Sequence, residues 1–341
     1  MSSKIKIAVV GCGRIGKRHA SMIKINSDAE LVALVDIDGF LEKELLEEFE
    51  VPFFNSLEAL IVSGIQPDVI NICTPNYLHA SQAITALKNK SHVVVEKPMA
   101  LSKVDAEEVI HESLKVNKRV FCVMQNRYSP PSRWLKEIIE NGSLGKIYMA
   151  NINCFWNRDS DYYKGGSAEY WKGKLDKDGG TLFTQFSHFL DTMYWLFGDI
   201  TNIKASFYDF NHQDTTEFED SGLVQFDFVK GGSGSLNYST AVYGQNMESS
   251  LSIIGEKGSV KVGGQYMNEI VYCHIKDYEQ PVLEETLPPN DYGKYKGSAA
   301  NHQFVIQNVV DALNKNEIVT TNSLEGLKVV EIIENIYKLK Q

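Results

Sequence analysis

Up to about Gln125, short β-branched apolar runs alternate with longer segments whose apolar positions recur every three or four residues. The runs predict strands over 4–10, 31–36, 69–73, 92–96 and 119–124. The periodic segments predict helices over 15–24, 41–49, 57–63, 77–89 and 103–117. Strands that are apolar almost throughout are covered on both faces, as in a parallel sheet. Their steady alternation with helices predicts a doubly wound α/β domain, of Rossmann type, over residues 1–125.

Beyond Tyr128 the pattern changes. Pro130-Pro131 interrupts it, a helix is predicted to about Glu140, and Asn141-Gly142-Ser143-Leu144-Gly145 stops that helix. A period of two follows. Tyr148, Ala150, Ile152, Cys154 and Trp156 share one face of a strand, and Met149, Asn151 and Asn153 the other. Val224, Phe226 and Phe228 repeat the alternation, and Lys230-Gly231-Gly232-Ser233 signals a hairpin turn. Further strands are predicted at 251–255, 259–262 and 269–275, and helices at 301–314 and 324–338. Residues 126–341 therefore predict an α+β domain with a large open antiparallel sheet, for substrate binding and oligomerisation, its terminal helices free to pack back on the first domain. Asn151, Asn153, Gln225, Asp227, Ser235, Asn237 and Ser239 form a small, polar row opposite the apolar one. Such a face suits isologous contact, sheet to sheet, in a homodimer or homotetramer.

Composition narrows the class. A chain of 341 residues predicts two domains at about 150 residues each. Hydrophobic residues at 43% and charged residues at 23% are those of a globular protein. With 34 basic and 44 acidic residues the net charge is −10, which argues against nucleic acid or anionic membrane as a partner. No apolar run approaches the roughly 20 residues of a membrane span, and the lysine-interrupted start is no signal peptide. Cys12, Cys73, Cys122, Cys154 and Cys273 are scattered and never paired as Cys-x-x-Cys. That spacing fits free thiols in a reducing, cytoplasmic setting, with no metal site.

Gly11-Cys12-Gly13-Arg14-Ile15-Gly16 follows the first strand and opens a helix. In such a loop the first glycine permits the tight turn, the second close approach to a pyrophosphate, and the third close helix–strand packing, while the helix N-terminus attracts the anion. Asp36, 20 residues past Gly16, ends the second strand, where a carboxylate accepts both ribose hydroxyls of an adenosine. A 2′-phosphate would be repelled there, and no Arg or Lys follows before Lys43, so NAD is favoured over NADP. Two further loops leave strand ends, where ligands of open α/β sheets bind: Thr74-Pro75-Asn76, and Glu96-Lys97-Pro98. His79, early in the intervening helix, reads by itself as a capping or core residue.

Together these residues resemble the Gfo/Idh/MocA oxidoreductase family, across essentially the whole chain. The resemblance implies a Rossmann domain joined to an open-sheet domain, and NAD(P)-linked oxidation or reduction of sugars, inositols and related alcohols. It maps the family's Glu-Lys-Pro lysine onto Lys97 and its catalytic histidine onto His188, within Gly179-Gly180-Thr181-Leu182-Phe183-Thr184-Gln185-Phe186-Ser187-His188. The family's usual Asp is replaced by Thr184. The segments Val123–Tyr128, Asn153–Arg158, Tyr162-Tyr163, Trp171-Lys172-Gly173 and Phe186–Asp191 are similar to the branch of UDP-N-acetylglucosaminuronate 3-dehydrogenases, which also lacks that Asp.

Helical spacing puts Thr184, His188 and Asp191 on one stripe, with Phe186, Phe189, Leu190 and Met193 on the other faces. A polar stripe on so apolar a helix faces solvent or a site. Alcohol oxidation needs a base for the hydroxyl proton and a positive group to steady the alkoxide, and Lys97 and His188 supply them. With Thr184 in place of the acid, Lys97 is the expected principal base and His188 positions the hydroxyl. Cofactor contacts are expected at Gly11, Gly13, Arg14, Ile15, Gly16, Asp36, Thr74, Pro75, Asn76, His79, Glu96, Lys97 and Gln125. Substrate contacts are expected at Asn126, Arg127, Arg158, Tyr163, Trp171 and Lys172, the aromatic and basic stretch suiting a uracil ring and anionic groups. The leading reading is NAD-dependent oxidation of C3 of a UDP-N-acetylglucosaminuronic acid. Another sugar or inositol dehydrogenase, or a non-catalytic NAD-binding sensor, stays open beside it.

Overall fold

The apolar runs of the first half become six strands of one parallel sheet in the computed structural model, which describes residues 4–164, 171–291 and 293–340. They are β1 (Ile5–Val10), β2 (Ala29–Val35), β3 (Phe53–Phe54), β4 (Val69–Ile72), β5 (His92–Val95) and β6 (Val120–Cys122), in the order β3-β2-β1-β4-β5-β6. The intervening helices are α1 (Arg14–Ile25), α2 (Glu42–Phe49), α3 (Leu57–Val62), α4 (His79–Lys88) and α5 (Lys103–Val116). Every residue of β4 is buried, as expected of a strand covered on both faces. The chain leaves β1 in one direction along the sheet and β4 in the other, so the carboxyl ends of these two strands flank the switch point where such folds bind ligands.

The chain forms two compact units, each with its own core. The first takes in the residues up to Met124 together with His302–Val330, and the second Gln125–Asn301 together with the chain from Glu331. Residues 302–330, assigned by sequence to the second domain, thus fold with the first. The reason is visible in α10 (His302–Asn314): Val305, Ile306, Val309 and Val310 are buried, and the helix packs on α1. Asn26 donates to Gln307 at 2.9 Å, Arg119 to the Ala312 carbonyl at 2.6 Å, and Cys122 N–H to the Thr321 carbonyl at 3.0 Å.

In the second unit α6 (Pro130–Glu140) precedes β7 (Ile147–Phe155), and α7 (Ser160–Lys164), α8 (Leu175–Asp178) and α9 (Ser187–Phe197) precede β8 (Ile200–Tyr208). β9 (Ser221–Phe228), β10 (Ser233–Ser239), β11 (Glu248–Gly255), β12 (Gly258–Gly263) and β13 (Glu269–Ile275) complete a seven-stranded sheet ordered β13-β12-β11-β7-β10-β9-β8. All its pairs are antiparallel except β7–β10, which is parallel. A hairpin of β14 (Pro289–Asp291) and β15 (Lys296–Ala299) and the last helix, α11 (Ser323–Tyr337), follow. β8 carries no clear alternation in the sequence because Asn202, at φ +52, and a register shift between Thr201 and Lys204 change its phase.

Ala150, Ile152, Cys154, Val224, Phe226, Leu236 and Tyr238 are buried on one face of the sheet, where Phe186 meets Trp156 and Tyr238. The other face carries the polar row. Ser235 donates to Asn151 and Asn237 to Asn153, each at 2.9 Å, along the β7–β10 pair. Among the described residues no helix is long and apolar enough to cross a membrane.

Candidate active site

The loop after β1 is shaped by contacts that exclude side chains. Gly11 has φ +87, and a Cβ there would meet the Cys73 and Thr74 backbone at 2.8 Å, while one at Gly16 would lie 1.8 Å from the Gly11 carbonyl oxygen. Gly13 differs: its Cβ would point into open space with nothing within 4 Å. No packing among the described residues requires glycine at that position, whereas a pyrophosphate lying on the loop does. Asp36 is half-buried and holds the loop, Oδ2 accepting from Cys12 N–H at 2.6 Å and Oδ1 from Asp38 N–H at 2.9 Å. Each oxygen keeps a further lone pair for a ribose hydroxyl. Burial and then the Asp36 charge push the Cys12 thiol up to about 12, so it stays protonated. Arg14 is exposed on the first turn of α1 and Ile15 half-buried. These residues fit NAD.

The loops beyond β4 and β5 are tied together by His79. Its Nδ1 lies 2.7 Å from the Pro98 carbonyl and its Nε2 2.8 Å from the Thr74 carbonyl, and burial lowers its pKa. His79 therefore sits between the two loops, its one N–H within reach of either backbone carbonyl, and its expected contact with cofactor is corrected to support. Thr74 donates to Gln82 at 2.7 Å, Pro75 precedes a short turn, and Asn76 is buried.

Glu96 is also a supporting residue. It is buried, accepts from His19 Nε2 at 2.9 Å, and its Oε2 accepts the Lys97 N–H at 3.1 Å. Asn71 Nδ2 donates to His19 Nδ1 at 2.8 Å, which leaves the His19 proton on Nε2. Burial alone would raise the Glu96 carboxyl, but the His19 hydrogen bond, with the Lys97 charge nearby, holds it below the usual carboxylate range, at about 2. Glu96 thus fixes the backbone of Lys97, whose side chain is half-buried and whose bond to Pro98 is cis.

In the second unit the helix bearing His188 begins with a π turn over Leu182–Phe186. Such turns are rare and frequent at functional sites. Sequence periodicity assumed a continuous α-helix with a polar stripe on solvent or a site. Instead Thr184 sits in the π turn, and Thr184, His188 and Asp191 are buried together with Phe186, Phe189, Leu190 and Met193. Tyr337 holds the turn's start, its hydroxyl accepting from Leu182 N–H at 2.9 Å and donating to Glu219 at 2.7 Å. The π turn and the Tyr337 support leave no local signature in the sequence.

Asp191 is taken by Arg127, with Nε to Oδ2 at 2.8 Å and NH2 to Oδ1 at 2.6 Å, both side chains fully buried. Arg127 accordingly holds α9, and its expected contact with substrate is corrected. Asn126 beside it is different. It is buried, and neither its amide oxygen nor its amide nitrogen has a hydrogen-bond partner among the described residues; the same holds for Gln125 Oε1 and Ser187 Oγ. The short turn Gln125–Tyr128 packs on α9, which Ser187 begins. Buried polar atoms of this kind are satisfied by a ligand or water.

The aromatic and basic stretch is only in part what its sequence suggests; residues 165–170 lie outside the described residues. Arg158 is buried and donates to Gln185 Oε1 at 2.8 Å, the Asn157 carbonyl at 2.6 Å, Asn246 Oδ1 at 3.2 Å and the Lys296 carbonyl at 3.1 Å. With four of its five donors spent on the protein, it is a brace, which corrects its reading as an anchor for substrate. Tyr163 is buried between Tyr162, His212 and Phe218, a core position. Trp171 and Lys172 are half-buried, with Lys172 Nζ 4.1 Å from the centroid of Tyr162.

Residues 5–124 match the family model described as oxidoreductase family, NAD-binding Rossmann fold, and residues 132–261 match the Gfo/Idh/MocA C-terminal domain. The WlbA dehydrogenase of Bordetella pertussis, solved with NADH and UDP-GlcNAcA, is 32% identical with a TM-score of 0.87, over 98% of this chain and 96% of that one. The WlbA dehydrogenase of Chromobacterium violaceum, solved with the same two ligands, is 30% identical with a TM-score of 0.88, over 99% and 94%. The myo-inositol 2-dehydrogenase of Thermotoga maritima is 26% identical over 82% of this chain and 86% of its own.

Proposed function

The chain belongs to the Gfo/Idh/MocA family of NAD-dependent oxidoreductases acting on sugar and polyol hydroxyls, and from that premise we propose that it oxidises C3 of a UDP-N-acetylglucosaminuronic acid. The observation that carries the substrate is the near full-length likeness to two dehydrogenases that hold UDP-GlcNAcA with NADH. The buried, unmatched amide of Asn126 supports it, as a group kept for a polar ligand.

Bound NAD supplies the hydride acceptor. Gly11, Gly13, Gly16 and the start of α1 hold its pyrophosphate, Asp36 its adenosine ribose, and Thr74, Pro75, Asn76 and Gln125 border it. Lys97, its backbone fixed by Glu96, takes the hydroxyl proton, and His188 positions the hydroxyl. Thr184 adds a hydrogen-bonding group without charge beside that helix. Asn126 takes up the sugar, and Trp171 and Lys172 its remaining groups.

Dehydrogenation of an inositol or another sugar is the second reading, favoured by the myo-inositol 2-dehydrogenase relative. Formation of reduced cofactor from NAD, with UDP-GlcNAcA, UDP-GlcNAc and myo-inositol offered in turn, separates the two. UDP-GlcNAcA should give the highest kcat/KM; preference for myo-inositol selects the second reading, and no reduction with any substrate selects a sensor.

The polar face of the second sheet supports self-association. Asn151, Asn153, Ser235 and Asn237 pair within one face and carry no charge, which suits face-to-face contact of two copies. Light scattering should give a dimer or tetramer at micromolar concentration, and Asn237→Arg should lower the mass; monomer alone in the unaltered protein contradicts the assignment.

A further inference from the structure

Three residues of the second unit form a directed chain of hydrogen bonds. Arg158 Nε donates to Gln185 Oε1 at 2.8 Å, which turns the Gln185 amide so that its Nε2 donates to the Tyr162 hydroxyl oxygen at 2.9 Å. The Tyr162 oxygen is thereby an acceptor, which leaves its own proton to be donated elsewhere. The ring is packed edge-on against Tyr163 and Tyr295, at 5.1 and 5.3 Å between centroids.

The charges around this hydroxyl are unbalanced. Lys172 Nζ lies 4.1 Å from the Tyr162 ring centroid and Arg158 Cζ 5.1 Å from it. The Arg158 partners are all neutral, and neither cation has a carboxylate within ion-pair distance among the described residues. Asp159 is occupied by Lys294 at 2.6 Å, and Asp178, the carboxylate whose charge reaches Tyr162, receives the Gly173 N–H at 2.8 Å. Burial would raise the Tyr162 hydroxyl's pKa, yet the Lys172 and Arg158 charges bring it below its ordinary value. A buried guanidinium and an ammonium that no carboxylate of the described residues pairs with, beside a tyrosine O–H, favour negative charge at this place.

We propose that Tyr162 and Lys172 form an oxyanion subsite, the Tyr162 O–H and the Lys172 ammonium together holding a carboxylate or phosphate oxygen of the substrate. Arg158 acts as a positioning residue, aiming the hydroxyl through Gln185. Because Gln185 lies in the π turn between Thr184 and His188, the subsite is braced against the same segment that carries the histidine. The inference rests on the UDP-uronate reading for the identity of the anion, and on the hydrogen-bond chain and the Lys172 and Arg158 charges for its existence. The uronate carboxylate and the diphosphate offer the same chemistry.

Calorimetric titration of the NAD-loaded full chain tests it, with the unaltered protein compared against Tyr162→Phe, which keeps the ring, and Lys172→Met, which keeps the stem. Loss of one charge-assisted hydrogen bond should weaken binding by about 10–100-fold in each variant, with NAD affinity unchanged as the check on folding. Weakening for UDP-GlcNAcA but not for UDP-GlcNAc identifies the carboxylate; equal weakening for both identifies the diphosphate. Unchanged affinity for both nucleotide sugars in both variants overturns the subsite and leaves the substrate reading intact. If the unaltered protein binds neither nucleotide sugar, the substrate reading fails, and D-glucuronate and inorganic pyrophosphate become the probes. Binding of either that both variants lose sustains the subsite, and no binding, or binding the variants keep, overturns it.

Discussion

His19 and Glu96 form a buried pair, Nε2 to Oε1 at 2.9 Å, and His302 brings a second imidazole to within 3.7 Å of the same oxygen. Burial above all holds His302 down at about 3, so it is neutral in the folded protein at any ordinary pH. An unfolded imidazole takes a proton below about 6.5, and the folded one refuses it. His302 therefore contributes full stability above about 6.5 and progressively less as the pH falls towards 3. Glu96, depressed to about 2, contributes above about 4.5 and loses that only in stronger acid. Urea unfolding should show stability falling below pH 6.5, and His302→Gln should flatten the slope by up to about 1.4 kcal/mol per pH unit. An unchanged slope contradicts the neutral, buried assignment.

Asp36 should set the cofactor choice. Its carboxylate already anchors the Cys12 and Asp38 amides, so it cannot swing aside for a 2′-phosphate. NAD should exceed NADP in kcat/KM by at least about tenfold, and Asp36→Ala should shrink the ratio, chiefly through lost NAD affinity. Equal efficiencies in the unaltered enzyme contradict this.

Lys97 and His188 are distinguished by kinetics. Lys97→Ala should lower kcat by about 10²–10⁴-fold with little loss of NAD affinity, and His188→Ala should cost less. Oxidation should speed up as pH rises and the base loses its proton, and Thr184→Asp should enlarge the His188 contribution. A His188→Ala enzyme much more damaged than Lys97→Ala, both folded and holding cofactor, reverses the roles.

Arg127→Ala should destabilise the protein by about 3–5 kcal/mol, because it takes the guanidinium away from the buried Asp191 carboxylate. The double replacement Arg127→Met with Asp191→Leu should recover most of that loss. A single variant as stable as the parent in denaturant unfolding would show that the pair does not hold α9.

The parallel sheet was legible in the sequence because its strands are continuous apolar runs, and the Gly11–Gly16 loop because three glycines stand between a strand and a helix. β7 was legible from period two alone. β8 was hidden by the phase change at Asn202, and β3 by its two-residue length. In the site, residue type misled where long-range partners decide the role. Arg127 and Arg158 read as anion anchors, yet Asp191 lies 64 positions from the first, and the second is spent on acceptors up to 138 positions away. Tyr162, adjacent to the buried Tyr163, is distinguished by Gln185 and Lys172, which no local pattern ties to it.

Deuterium transfer tests the central claim most directly. UDP-GlcNAcA carrying deuterium at C3 is incubated with the enzyme and NAD, and the reduced cofactor is analysed by mass spectrometry. The account predicts one deuterium per reduced cofactor, with a primary isotope effect when chemistry limits the rate. Reduced cofactor without deuterium, or no reduced cofactor from this substrate while another sugar or inositol supplies it, contradicts the account.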